Sequence, residues 1–170
     1  MSLVPHDSPR WSELHCRGGS AGNVGKTLRA LSTSFQRPVF NDLAAELCSE
    51  GTAWSAAFAA APYVLEFARR TTGQDRVECL LFLGLVRISE VENEHAFACP
   101  PDLWESYRTA VADTVPLLLV ELGHPHEPTT LRYLLSALAA AKDDPFAATI
   151  LQYLDSGCPH CGENLLTETS

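Results

Sequence analysis

The stretch VFNDLAAELCSEGTAWSAAFAAAPYVLEFARR, residues 39–70, decides how this chain folds. Phe40, Leu43, Ala44, Leu47 and Cys48 fall at i, i+3, i+4, i+7 and i+8, the spacing of one apolar helical face. Gly51 stands where a C′ residue would close that helix. The alanine-rich run from Ala53 to Arg70 follows, with Pro62 inside it. Proline removes a backbone donor and crowds the preceding turn, so this run reads as two short helices or one kinked helix. The unit is therefore a helix pair.

The same grammar continues on both sides. Asn23 occupies an N-cap position ahead of Val24, Leu28 and Leu31, and Ser34 and Pro38 bracket the end of that segment. Asp75 to Glu92 is the most apolar segment, with Val77, Leu80, Leu81, Phe82, Leu83, Leu85, Val86 and Ile88 on nearly all sides, which predicts a central helix covered by neighbours. Residues 93–101 read as a loop. Pro100 and Pro101 suit the first turn of the next helix, carrying Trp104, Tyr107, Val111 and Val115, which Pro116 interrupts. Leu131, Leu134, Leu135 and Leu138 mark another amphipathic helix, and Pro145 starts the last one, which Gly157 stops. Alternating Val, Ile and Thr runs are absent, so the fold class is all-α. Leu81, Leu85, Leu134, Leu135 and Leu138 are expected in the core, where Leu135→Ala would cost about 2–5 kcal/mol.

Pairing the helices by order gives units at 39–49 with 53–70, 75–92 with 101–122, and 129–142 with 145–156. Residues 61–68 (APYVLEFA) and 115–122 (VPLLLVEL) each place a proline in the second helix of a pair before a buried face. Unit starts fall roughly 35 to 55 residues apart, near the period of HEAT-type repeats. A single such pair cannot bury its own face, so the pairs must stack. Through the Gly-Thr turn and the small-residue run before Pro62, the segment from Ser49 to Leu65 resembles bacterial HEAT-like helical proteins of unknown role. The resemblance covers roughly residues 20 to 157 and rests on spacing more than on fixed residues. It implies a right-handed stack of antiparallel helix pairs, an α-α superhelix, and no particular activity. The domain organisation that follows is an N-terminal lead-in at 1–20, loose before Pro9 and with one helical turn at 11–15. A HEAT-like domain spans 21–157, and a tail occupies 158–170.

Composition narrows the function. The chain of 170 residues is 46% hydrophobic and 19% charged, a globular balance. Its formal net charge is −9, and its only lysines are Lys26 and Lys142. Binding to phosphate backbones needs clustered Lys and Arg, so nucleic acid is not an expected partner. A basic protein partner is favoured by long-range attraction, although the same charge also serves plain solubility. The first ten residues carry no basic n-region and no apolar run, and the most apolar stretch, Cys79 to Val86, is far too short for a bilayer. A cytoplasmic protein without membrane contact is expected. Of six cysteines, Cys48 and Cys79 lie in helical patterns and read as reduced core residues.

Four constellations could carry chemistry. Gly22-Asn23-Val24-Gly25-Lys26-Thr27 approaches a phosphate-binding loop, but position 20 is Ser20 and no buried strand precedes it, so it reads as a turn into a helix. Cys158-Pro159-His160-Cys161-Gly162 has the C-x-x-C spacing of a zinc knuckle. Cys158 and Cys161 are thus the candidate metal ligands and zinc the candidate cofactor, with Cys99, His95, His160 or a second subunit to complete four ligands. An unmetallated surface turn is the alternative. Glu90, Glu92, Glu94 and His95, and likewise His124, His126 and Glu127, read as solvated loop residues. Trp104, in register with Tyr107 and Val111, reads as core, whereas Trp54 fits either a core or a binding surface.

The function these features favour is a non-enzymatic helical-repeat protein that binds another protein. The alternatives are a zinc-containing accessory or dimerisation module, and an enzyme on the same scaffold. HEAT-like folds include alkyl-base DNA glycosylases, which use a basic concave face that this acidic chain does not offer.

Overall fold

In a computed structural model, which describes residues 3–49, 51–92 and 99–153, seven α-helices dominate: α1 (Val24–Thr33), α2 (Arg37–Leu47), α3 (Ser55–Arg70), α4 (Gln74–Glu92), α5 (Trp104–Glu121), α6 (Pro128–Ala141) and α7 (Pro145–Tyr153). Two hairpins of two-residue strands complete it, β1 (His15–Cys16) with β2 (Gly19–Ser20) and β3 (Cys48–Ser49) with β4 (Thr52–Ala53). The all-α class holds among these residues. None of their helices is long and apolar enough to cross a membrane.

Both internal prolines are absorbed. Pro62 lies inside α3 and Pro116 inside α5, and each helix runs through its proline as one element. Pro62 cannot donate to the carbonyl of Phe58. The segment survives because α3 is buried along nearly its whole length, from Ser55 to Ala68. Tertiary packing outweighs the local cost. Gly51 does not cap α2; with φ +73° it sits in the turn of the β3–β4 hairpin, a conformation that suits glycine. Asn23 does occupy the N-cap of α1, but its side chain makes no capping hydrogen bond.

α3 is the hub. Its alanines Ala56, Ala57, Ala60 and Ala61 are fully buried and let α1, α4 and α5 approach from different sides. Phe58 extends from it to meet the Tyr107 ring edge-on at 5.0 Å. α4 in turn packs on α6, where Gly84 faces Ala137 so closely that a Cβ on Gly84 would lie 2.5 Å from the Ala137 Cβ. α7 folds back on α6, and Ser136 in α6 donates to the carbonyl of Ala148 at 2.7 Å.

Three expectations about burial require correction. The lead-in is not loose: Val4, Trp11, Leu14 and Cys16 belong to the main core, and Tyr63 of α3 donates to the Val4 carbonyl at 2.6 Å. Trp104 is exposed, with the Arg108 guanidinium over its ring. Of the five leucines assigned to the core, Leu134 is fully buried and Leu81 and Leu138 are half-buried, while Leu85 and Leu135 are 39% and 38% exposed. α6 turns its small residues inward, Ser136, Ala137 and Ala140 beside Leu134, because the close crossing with α4 leaves no room for larger ones. Leu135→Ala is accordingly expected to cost less than about 1 kcal/mol by urea denaturation, near the range of surface substitutions.

Candidate functional site

α2, α4 and α6 do not close on one another. Between them lies an open groove of about 390 Å³. Phe40 and Ala44 of α2 form one wall, Leu81 and Leu85 of α4 the floor, and Tyr133 and Ala137 of α6 the other wall. α4 supplies Glu78, Leu81, Leu85 and Ile88 at i, i+3, i+7 and i+10, a straight stripe along one helix face. This is the fourth side of the helix that reads as apolar on nearly all sides. Three sides have neighbours in the fold, and this one faces the opening.

The polar groups of the groove are few. Cys48 is half-buried, its Sγ 3.6 Å from the Ser89 Oγ, and burial pushes the thiol above its ordinary pKa. It forms part of the groove wall. Gln152 of α7 lines one end, and its side-chain oxygen is buried without a hydrogen-bond partner among the described residues. Glu78 is the acidic residue of the lining; the Gln74 side-chain amide donates to it at 2.8 Å. Asp42 and Glu46 stand exposed on α2 beside the wall residues Asn41 and Ala45. Arg132, stacked on the Tyr133 ring at 5.0 Å, is itself buried.

Two ionic networks lie away from the groove, and both draw in residues expected to be solvated. Glu90 is part of α4 and partly buried: it accepts from Arg87 at 3.0 Å and from the Tyr107 hydroxyl at 2.8 Å. Arg87 also donates to Asp143 at 2.9 Å, and Arg108 reaches the same carboxylate at 3.1 Å. Burial, followed by the Glu90 charge, pushes the Tyr107 hydroxyl well above its usual range. It donates to a carboxylate and stays protonated. In the second network Glu121 of α5 is buried, 3.7 Å from the Arg76 guanidinium and 3.8 Å from the His126 ring. His126 also meets the Glu121 carbonyl at 2.9 Å. Sequence reasoning grouped His126 with the exposed His124 and Glu127, and missed Glu121 because it reads as the polar end of an apolar helix. In both networks the charged groups point at each other, an arrangement that ties helices together.

Asp143 has φ +61°, and the hydrogen bond from Arg87, then the Arg108 charge, holds its carboxyl below the usual carboxylate range. A depressed folded pKa contributes stability above the unfolded carboxylate range, and that stability is lost as pH falls through the folded value. Asp143 is 62% exposed, which limits the effect through screening. Asp143→Asn keeps a residue that tolerates this backbone conformation. It is expected to cost about 0.5–1 kcal/mol at neutral pH, and the difference from the parent should shrink in urea titrations as pH falls below the ordinary carboxylate range and through the folded value.

The candidate zinc ligands Cys158 and Cys161 lie outside the described residues, as do His95 and His160. Cys99 is buried beside its own neighbour, Sγ 3.6 Å from the Pro100 carbonyl, and burial together with the charges of Glu90 and Asp102 pushes its thiol up to about 12. Among the described residues no three His, Cys, Asp or Glu side chains converge as a metal site. Gly25, of the glycine-rich turn, is buried at the start of α1, where a Cβ would collide with the His6 carbonyl and the Trp11 ring. The glycine is needed there for packing. No protein-family model matches the chain, and no curated protein and no solved structure shows significant similarity to it.

Proposed function

We propose that this chain is a non-enzymatic helical scaffold of HEAT-like character that binds a protein partner in the groove between α2, α4 and α6. The observation that carries the reading is the Leu81–Leu85 stripe on α4, with Leu81 half-buried and Leu85 exposed. An apolar stripe left open on a helix covered on its other sides is where a partner gains by burying surface, at roughly 25 cal/mol per Å². A groove lined by aliphatic and aromatic side chains with a few polar groups at its ends is the usual form of a recognition surface. The two ionic networks support the same reading, because they tie α4, which carries the stripe, to α5 and the turns after α5 and α6.

The reading is tested by placing a photo-crosslinking amino acid at position 85 and, as a control, at the exposed Lys26 of α1, in the full chain expressed in its native host. A discrete protein adduct is expected from position 85 and not from position 26. It should disappear when Tyr133→Arg is added, with helicity unchanged by circular dichroism. Adducts that are equal at both positions would sink the proposal.

A further inference from the structure

We infer that the occupant of the groove is a short basic amphipathic helix of a partner protein, about three turns long, lying along α4 between α2 and α6; this rests on the protein-docking reading above. The first argument is shape. The open face of α4 runs from Glu78 through Leu81 to Leu85, about 10 Å at 1.5 Å per residue, with the buried Ile88 at its inner end, and its i, i+3, i+7 spacing is the imprint that a second helix packs against. Gly84 and Ala137 bring α6 against α4, so the floor is rigid and the opening lies toward α2.

The second argument is charge. Glu78 lies in the groove and Asp42 and Glu46 beside it, and none of the three forms an ion pair with a described residue. Lys26 and Lys142, the only lysines of the chain, line no part of it. Asp42 and Glu46 on the α2 side and Glu78 on α4 together favour Lys or Arg on the flank of an incoming helix. The same charges disfavour the other occupants. A second copy of this chain brings a net charge of −9. The chain's own residues 154–170 carry Asp155, Glu163 and Glu168 and no Lys or Arg. The third argument is the buried oxygen of Gln152 at the α7 end, which has no hydrogen-bond partner among the described residues and is an acceptor that an N–H donor of the occupant would satisfy. The partner helix therefore presents leucine-sized residues at i, i+3 and i+7, basic residues facing α2, and an N–H donor at its α7 end.

The test measures fluorescence anisotropy of labelled peptides against the intact protein. The probe is a 14-residue synthetic helix with Leu at i, i+3, i+7 and i+10 and Lys elsewhere on its exposed faces. Its twin carries Glu in place of every Lys, and a third peptide reproduces residues 154–170. The lysine probe is expected to bind at least tenfold tighter than either other peptide. Leu85→Lys should weaken it at least tenfold, Glu78→Lys severalfold, and its affinity should fall as salt is raised. Equal binding of the glutamate twin, displacement by the 154–170 peptide, or indifference to Leu85→Lys would each overturn the inference. The position-85 adduct separates this from the underlying reading. Mass-spectrometric mapping of the adduct to a basic helical segment supports both. An adduct on an acidic or neutral segment leaves protein docking standing and removes the basic helix, and no adduct at all removes both.

Discussion

Trp11→Ala is expected to cost about 3–5 kcal/mol, the range for deleting a buried aromatic side chain. For a chain of this length that corresponds to a fall in Tm of roughly 6–20 °C. Trp11 is 1% exposed and sits in a 3-10 turn, Pro9–Glu13, outside every helix pair. Its ring fills the space that Gly25 leaves at the start of α1, and its indole N–H donates to the Pro5 carbonyl at 3.0 Å. Removing the ring opens a cavity between the first residues and α1, and it leaves the Pro5 carbonyl with only the Ser8 N–H, at 2.9 Å, of its two donors. Neither α1 nor the lead-in can collapse into the gap easily, because Tyr63 ties Val4 to α3 and Arg29 pairs with Asp7. Calorimetry on the variant gives the answer. A loss below about 1 kcal/mol would mean that residues 3–20 are an appendage and not part of the core.

Gly84→Ala is the second large effect. In an unstrained helix this substitution stabilises by about 1 kcal/mol, because alanine is the better helix former. Here the new methyl would lie 2.5 Å from the Ala137 Cβ and 2.8 Å from its Cα, and neither atom can swing aside. α4 and α6 must separate, and overpacking of this kind costs about 1–3 kcal/mol or more. The clash outweighs the propensity gain, and a net loss of about 2 kcal/mol is expected. Ala137→Gly should restore much of it, because it removes the opposing methyl. A double-mutant cycle should therefore give a coupling of about 1 kcal/mol or more, with the single variants measured by urea denaturation. A stabilised Gly84→Ala protein would mean that the two helices are not in contact.

These two positions also show where the sequence was readable and where it was not. α2, α4, α6 and α7 form where their periodic patterns place them, and α2 buries the face its pattern marks, whereas Leu131 and Leu135 of α6 and Phe146 and Ile150 of α7 are exposed. Trp11 lies in a segment with two prolines and no period, and periodicity cannot see a single aromatic anchor in a short turn. Pro62 and Pro116 look like breaks because a local rule says so, yet burial from all sides keeps both helices continuous. Leu135 reads as core by its spacing with Leu131, Leu134 and Leu138, whereas the α4–α6 crossing selects the small side chains of Ser136 and Ala137. The groove was half legible. The all-round apolar character of α4 is visible in residues 75–92, but which side would be left uncovered depends on where α2 and α6 come to rest. The acidic groups around it were legible only as a net charge.

The attachment of α7 has a further consequence, for how the molecule opens. Its inward contacts are small: Ala148 joins Ile88 and Ala140 in a cluster separate from the main core, and Ser136 adds one hydrogen bond. Phe146 is 77% exposed and contributes little to that cluster. α7 packs chiefly on α6, with α4 behind it, whereas α3 meets α1, α4 and α5, so a local opening that frees α7 leaves α3 in place. Hydrogen exchange at the α7 amides is then expected to run ahead of that in α3, and Gln152 travels with α7. The end of the groove is built on a helix that leans on one wall, so breathing of that helix lengthens and shortens the trough without disturbing its floor.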